Sequence, residues 1–330
     1  MYTIINNSNN PYYNLALEEY LLKSETVPQE LVWLWQNRPA VIVGRNQNTI
    51  EEINHTMIKE KGIDVVRRIS GGGAVYHDLG NINFTFITSA RDGSADLFRQ
   101  FTAPVIAALR TVGVPAEFSG RNDIIVNNKK ISGNAQAYYR DRIVHHGTIL
   151  FDADLETVGA VLNVSMDKIS SKGVKSVRSR VDNIKPYLKA AITIEDFKKI
   201  LLQYLIQNQD IAARTYRLDA ADKAAIRGLV NTKYRTREWN YGQSPAFEMV
   251  RSGRFTGGKI TFHLNVKGGK IVGCRIFGDF FGKKDIEDLA AALLGVAFFP
   301  QALSNALDGF PLDEYLFNIN KNDIINCLFN

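Results

Sequence analysis

Cysteine is nearly missing from this 330-residue chain: Cys274 and Cys327 are the only two, too few for a disulfide framework or a cysteine-rich zinc site. No stretch of about 18 apolar residues occurs, so no membrane-spanning helix is expected. The N-terminal MYTIINNSNNPYYN has neither a basic start nor an apolar core, so no signal peptide is expected. Charge of one sign is not in large excess. Forty Lys+Arg against 34 Asp+Glu leave +6, which permits an acidic partner without demanding nucleic acid. The glycines lack two common arrangements: no Gly-Lys-Ser/Thr follows them, and no G-x-G-x-x-G opens a helix. Walker-type and dinucleotide-binding readings lose on that ground. The expectation is a cytoplasmic protein with no membrane and no nucleic-acid partner.

What is present is an ordinary globular balance of 45% hydrophobic and 22% charged residues. The length suggests two domains at roughly 150 residues each. Residues 12–22 have helical spacing. Residues 31–36 and 40–44 read as strands parted by Asn37-Arg38-Pro39. Further strands are expected at 65–68, 82–88, 123–127, 130–139 and 143–151, and helices at 96–109, 154–162, 194–207 and 220–230. Closely spaced strands favour hairpins and a mixed or antiparallel sheet. Asn231 to Pro245 is polar and reads as irregular, with Gly242 and Pro245 marking a break. Beyond it three strands joined by Gly-Gly turns, then helices near 284–294, 299–307, 312–317 and 322–329, form a second unit. The expected division is 1–243 and 244–330.

Chemistry concentrates in two segments. In Arg67-Arg68-Ile69-Ser70-Gly71-Gly72-Gly73-Ala74-Val75-Tyr76-His77-Asp78 a strand ends in two arginines and enters three glycines. Consecutive glycines let amides converge on an anion, and Arg68 would add charge. A hairpin loop capped by solvated arginines fits the spacing equally well. In residues 120–136 (GRNDIIVNNKKISGNAQ) a strand, the Asn127-Asn128 turn and a returning strand bring Asp123 near Lys130. That lysine could serve two anions, or be a turn lysine in a surface ion pair worth about 0–1 kcal/mol. His145-His146 lie on a strand where neighbours face opposite ways, so one would face a ligand and the other solvent. The basic run 168–180 reads as a solvated loop or as a mobile flap.

Taken together, RRISGGGAVYHDLGNINFTF (67–86), GRNDIIV…KKISGNAQ (120–136), HHGTILFD (145–152), KGVKSVRSRV (172–181), WNYGQSP (239–245) and GRNQN (44–48) resemble the lipoate–protein ligases, within the superfamily of biotin ligases and octanoyltransferases. The resemblance runs in order along nearly the whole chain. It implies an α+β catalytic domain around a mixed sheet with a small α+β accessory domain at its C-terminal side. It implies activation of lipoate by ATP and Mg²⁺ to lipoyl-AMP, then transfer to a lysine of a lipoyl domain. Those acceptors would belong to 2-oxoacid dehydrogenase complexes, to the glycine-cleavage H protein, or to both, and a monomer is expected. Carried over by motif, Lys130 is the catalytic lysine. Arg68, Ser70, Gly73, Ala74, Val75, Tyr76, Lys130 and Asp123 would hold ATP or the adenylate, with Asp123 also near Mg²⁺. Lys130, Arg45, His77, Asn83 and His146 would bind lipoate, and Lys172, Gly173, Lys175, Ser176 and Arg178 would belong to a loop covering the adenylate. Val75, Phe84 and Phe86 could line an aliphatic slot or serve as core.

Three rivals differ in chemistry. An octanoyltransferase of the same fold needs a nucleophilic cysteine in the catalytic part, yet both cysteines lie beyond the expected boundary. A biotin ligase is disfavoured because RRISGGGAVYHD replaces the arginine-glycine run of that group, although GRND is similar to its Trp-Pro-Asn-Asp segment. A non-catalytic binder of lipoyl domains or of RNA is the third. RNA recognition calls for aromatics interleaved with a basic patch, and the basic clusters here lack them.

Overall fold

Alternation along Asn81–Ser89 decides how the main sheet is covered. Ile82, Phe84 and Phe86 point to one side and are buried. Full burial of each such side chain stabilises by about 1.5–3 kcal/mol. Asn83 and Thr85 point to the other side, as strand geometry requires. The computed structural model describes residues 1–90, 97–162, 181–207, 214–241, 249–267 and 269–329. Contacts divide the chain into two compact units. One holds Met1–Ile42, Ile53–Val66 and Val75–Asn240, the other Val43–Glu52, Arg67–Ala74 and Tyr241–Asn330.

The first unit is built on an eight-stranded sheet in the order β11-β1-β2-β6-β10-β9-β8-β7. Its strands are β1 (Tyr2–Ile4), β2 (Leu31–Trp35), β6 (Asn81–Ser89), β7 (Glu117–Ser119), β8 (Asp123–Val126), β9 (Lys129–Tyr139), β10 (Arg142–Leu150) and β11 (Thr215–Tyr216). β1 is parallel to both its neighbours and the remaining pairs are antiparallel, so the sheet is mixed. One face carries Ile82, Phe84, Phe86, Ile124 and Ile149 and is covered by the helices Leu97–Thr111 and Ile194–Leu205. A small sheet, β4-β3-β5, is made by β3 (Ala40–Val43), β4 (Asp64–Arg67) and β5 (Val75–His77).

The helix Pro11–Lys23 starts on an Asn10 cap that accepts from the Tyr12 and Tyr13 amides. It buries two consecutive carboxylates, Glu18 and Glu19. Glu19 receives Lys23 at 2.7 Å, Lys233 at 2.8 Å and the Tyr234 hydroxyl at 2.6 Å. These bonds fasten the helix to the helical turn Val230–Tyr234.

The second unit has an antiparallel sheet β12-β13-β14, formed by β12 (Met249–Phe255), β13 (Gly258–Lys267) and β14 (Lys270–Gly278). Ile260, Phe262, Leu264 and Ile276 pack against the helices Ile286–Ala292, Pro300–Leu307 and Lys321–Phe329. No helix among the described residues is long and apolar enough to cross a membrane.

The fold is therefore the α+β arrangement expected, with one local correction. Residues 231–241 are largely helical, in Val230–Tyr234 and Arg237–Tyr241, where an irregular stretch was expected. Tyr234 and Asn240 are the reason. Both are buried, and the Asn240 amide donates to the carbonyls of Tyr234 and Thr236, so tertiary packing overrides a polar composition. Residues 242–248, with Gly242 and Pro245, lie outside the described residues.

Burial by itself raises the Glu19 carboxyl, but the Lys233 charge and the bonds from Lys23, Lys233 and Tyr234 outweigh it and hold the group below its usual range. A carboxyl depressed in the folded state stabilises above its unfolded value and loses that contribution as pH falls through the folded one. Glu19→Gln should therefore lower stability by about 2 kcal/mol at neutral pH. Thermal melts should show the deficit narrowing below about pH 4.5, the group's unperturbed value.

Candidate active site

The polar face of the main sheet is ordered in rows by its register. Trp35 stands opposite Asn83, Asn83 opposite Thr148, and Gly133 opposite Asp123. The Gly133 amide donates to the Thr148 hydroxyl at 3.2 Å, which joins the two halves of this row. Directly paired residues share a face. Trp33, Thr85, His146 and Ala135 form the adjacent row.

Lys130 enters this face through a bulge. Asn127 and Asn128 both take left-handed backbone (φ 49° and 62°), the pair that a tight hairpin turn needs. The register then slips between Ile124 and Ile125, so that Asp123 stands opposite Gly133. Ile124 and Ile131 go into the core while Lys130 is left partly exposed. Its ammonium lies over Gly133 and meets Asp123 Oδ1 at 2.8 Å. The approach is an ion pair and not a directed hydrogen bond, for Oδ1 has no hydrogen-bond partner. A Cβ on Gly133 would stand 2.6 Å from Lys130 Nζ. The missing side chain is what lets the lysine lie flat across the sheet. The pair anticipated from the sequence is thus made, but diagonally. The Lys130 carbonyl also accepts from the Asp182 amide at 2.9 Å, and Val181 bridges to Lys130 in parallel.

The row beside it is a chain of buried polar groups. Trp35 Nε1 donates to Thr85 Oγ1 at 2.9 Å, Thr85 donates to Glu18 Oε1 at 2.9 Å, and His146 Nδ1 meets Glu18 Oε2 at 2.8 Å. The Trp35 ring packs edge-on to His77 at 6.1 Å, and Asn37 Nδ2 lies 3.0 Å from His77 Nδ1. Asn37 Oδ1 already accepts from Asn14, so the Asn37 amide donates and His77 Nδ1 accepts. Glu18, Trp35 and Thr85 were not singled out from the sequence. Two acids inside the apolar run LALEEYLL were the available signal, since carboxylates on a core-facing helix must find partners.

His145 faces the opposite side. It is wholly buried, stacks on Phe101 at 4.8 Å and packs against Phe84, Phe86 and Phe98. Burial holds it well below the usual histidine range, with the His146 charge acting the same way. The expectation of one histidine turned to solvent is corrected: both are buried, on opposite faces. Phe84 and Phe86 are core and line no slot on the polar face.

The glycine-rich loop is built by two back-to-back arginines at the end of β4. Arg67 donates to the carbonyls of Gly44, Arg45 and Gln47 and to Thr49 Oγ1, at 2.6–2.9 Å. Its burial pulls its pKa down to about 10. Arg68 donates to Ser70 Oγ at 3.0 Å and to the carbonyls of Gly71 and Gly73 at 2.7 and 2.8 Å. Each guanidinium is the centre of one loop. The capped hairpin with solvated arginines does not hold, because both are buried. Arg67 had been passed over as a site residue. Gly44 must be glycine, for a Cβ there would fall 1.9 Å from the Gly72 carbonyl oxygen.

The residues singled out from the sequence thus fall into two groups. Lys130, Asp123, His77, Asn83 and His146 belong to the first unit, as do Val75 and Tyr76 on β5. Arg45, Arg68, Ser70, Gly73 and Ala74 count with the second. Arg45 pairs with Asp285. Lys172, Gly173, Lys175, Ser176 and Arg178 lie outside the described residues. Burial pushes the Cys274 thiol up to about 12 and the Cys327 thiol up to about 11. A nucleophilic thiolate needs the opposite shift, which counts against a thioester route.

The polar face of the first unit thus carries a lysine and a carboxylate held together by a bulge. Comparison with known proteins shows the family. Residues 10–206 match the lipoyl protein ligase A/B catalytic domain, and residues 244–328 match the bacterial lipoate protein ligase C-terminus. The lipoate-protein ligase LplJ of Bacillus subtilis is 46% identical over 98% of each chain. Among solved structures, P. falciparum LipL1 in complex with lipoate matches with a TM-score of 0.77 at 25% identity, over 98% of this chain and 97% of that one. A lipoate-protein ligase A bound with ATP matches with a TM-score of 0.63 at 27% identity, over 73% and 98%. The chain belongs to the lipoate–protein ligase family. It is a ligase that joins lipoate to protein.

Gly133→Ala tests the bulge geometry. The atoms in the way are the far end of a flexible side chain, so the melting temperature should hardly move. Displacing the ammonium by about 1 Å should cost on the order of a hundredfold in lipoate activation.

Proposed function

We propose that Lys130 is the catalytic cation of a two-step reaction, and that its place over Gly133 beside Asp123 is the observation that carries this reading. In the first step a lipoate carboxylate oxygen bonds to the α-phosphorus of ATP and pyrophosphate leaves. In the second the amine of an acceptor lysine bonds to the acyl carbon, the C–O bond to AMP breaks, and the amine gives up a proton. Two anions repel each other as they approach, so the first step needs a fixed cation at the point where charge accumulates. Lys130 supplies it. Asp123 holds the ammonium in place before the substrates arrive.

Arg68, Ser70 and the backbone from Gly73 to Tyr76 receive the nucleotide. Arg68 acts there as the former of the loop, since its donors go to the loop's own carbonyls. Asn83, His77 and His146 border lipoate in the first unit. Mg²⁺ neutralises phosphate charge when it is bound. Among the described residues no group of three His, Cys, Asp or Glu could hold a metal. Asp123 would be a protein carboxylate for an ion carried in on the phosphates.

The acceptors are lipoyl domains of 2-oxoacid dehydrogenase complexes, glycine-cleavage H protein, or both. The enzyme works as a cytoplasmic monomer, with a catalytic domain through residue 243 and an accessory domain from 244. The +6 charge supports steering toward acidic acceptors, which weakens with salt.

Lipoate-dependent ATP–pyrophosphate exchange, run with Mg²⁺ and without an acceptor, tests the reading. Wild type should exchange and Lys130→Ala should lose about three orders of magnitude or more, the scale of a lost transition-state charge contact. Full exchange in a folded Lys130→Ala protein would remove the lysine from the mechanism.

A further inference from the structure

The glycine-rich loop is held from two sides. From within, Arg68 gathers its carbonyls. From outside, the chain that leaves β14 lies directly on it. The Gly72 amide donates to the Phe280 carbonyl at 3.4 Å. A Cβ on Gly71 would come 2.5 Å from the Phe280 oxygen, and one on Gly72 would come 3.0 Å from the Phe281 ring. Gly72 also takes a left-handed φ of 88°. The first two glycines of the run are therefore used by the protein's own backbone and ring, and the third is left to the remainder of the loop.

The neighbouring loop is fixed by the same stretch of chain. The Gly278 amide donates to the Asn46 carbonyl at 2.6 Å, the Arg45 amide donates to the Ser70 carbonyl at 2.8 Å, and Arg45 pairs with Asp285. Residues 44–48, 70–73 and 278–285 make one knot, all within the second compact unit. Three consecutive glycines would otherwise sample many conformations, and ordering them on binding would be charged against affinity. A loop ordered beforehand avoids that loss.

We infer that residues 278–285 are the brace that keeps the glycine-rich loop ordered for nucleotide, with Phe281 and Asp285 as positioning residues for ATP. Neither residue touches the reacting atoms; both act through the loop backbone. The inference rests on the reading that this loop receives the nucleotide. It gives the C-terminal part of the chain a defined task in the first half-reaction, and it assigns Arg45 to the brace through Asp285.

The test is pyrophosphate exchange on the full chain, with the KM for ATP and the KM for lipoate measured separately. Phe281→Ala should raise the KM for ATP about tenfold, the scale of re-ordering one backbone residue. The KM for lipoate should stay within twofold. Phe281→Leu, which keeps the apolar contact, should recover most of the loss. Asp285→Asn should raise the KM for ATP by roughly two- to fivefold, as befits an exposed ion pair; asparagine still caps the following helix, so folding is preserved even if Phe281→Ala does not fold. Arg68→Lys separates the two readings, because one ammonium cannot serve three acceptors. If Arg68→Lys leaves the KM for ATP unchanged, the loop is not the nucleotide site. If Arg68→Lys raises it while Phe281→Leu and Asp285→Asn both match wild type and Phe281→Ala raises both KM values together, the brace is overturned.

Discussion

One alternation rule underlies the molecule: neighbouring residues on a strand face opposite sides. β6 and β10 lie at the centre of the main sheet, and each places apolar residues on one face and polar ones on the other. The apolar face closes under two helices and supplies the core. The polar face holds Asn83, Thr85, Thr148 and His146 in rows that lead across β9 to Lys130 and Asp123. Shifting either strand by one residue would exchange core and site. His145 and His146 show how sharp the divide is. One is stacked among four phenylalanines, and the other bonds to a buried carboxylate one residue later.

A flat pleated hairpin could not deliver the lysine. The bulge between Ile124 and Ile125 moves Asp123 opposite Gly133, and the empty space above Gly133 becomes the channel in which the Lys130 side chain lies. Bulges re-aim side chains in this way near functional sites. Here a left-handed two-residue turn, a bulge and a glycine within eleven residues put a cation on a defined spot of an otherwise rigid sheet. In the proposed reaction a fixed position matters, because activation of a carboxylate depends on where the charge stands before the substrates arrive.

The second constraint is satisfaction of backbone carbonyls. Loops rich in glycine leave carbonyls without regular partners, and two adjacent arginines at the end of β4 answer for them. Arg67 serves the loop after β3, and Arg68 serves the glycine-rich loop. Side chains at consecutive strand positions diverge, so one dipeptide organises two loops. The C-terminal chain adds a third layer through Phe280 and Phe281, which fit because Gly71 and Gly72 have no side chains.

Much of this was legible in the order of residues. Strand and helix positions followed from periodicity and turn residues, and the motifs around Ser70, Lys130 and His146 pointed to the family. Asp123 and Lys130 were expected to be close because a hairpin with an Asn-Asn turn leaves few alternatives. What the sequence by itself determined was local: which residues alternate, where the chain turns, and which chemical groups are available. Only the tertiary structure decided how those groups are spent. Arg68 binds its own loop, Arg67 proves as central as its neighbour, Phe84 and Phe86 are core, Glu18 backs His146, and residues 231–241 coil into helix around Tyr234. Each outcome depends on what lies on the far side of the residue, contributed in places by chain more than two hundred positions away, and periodicity carries no information about that distance.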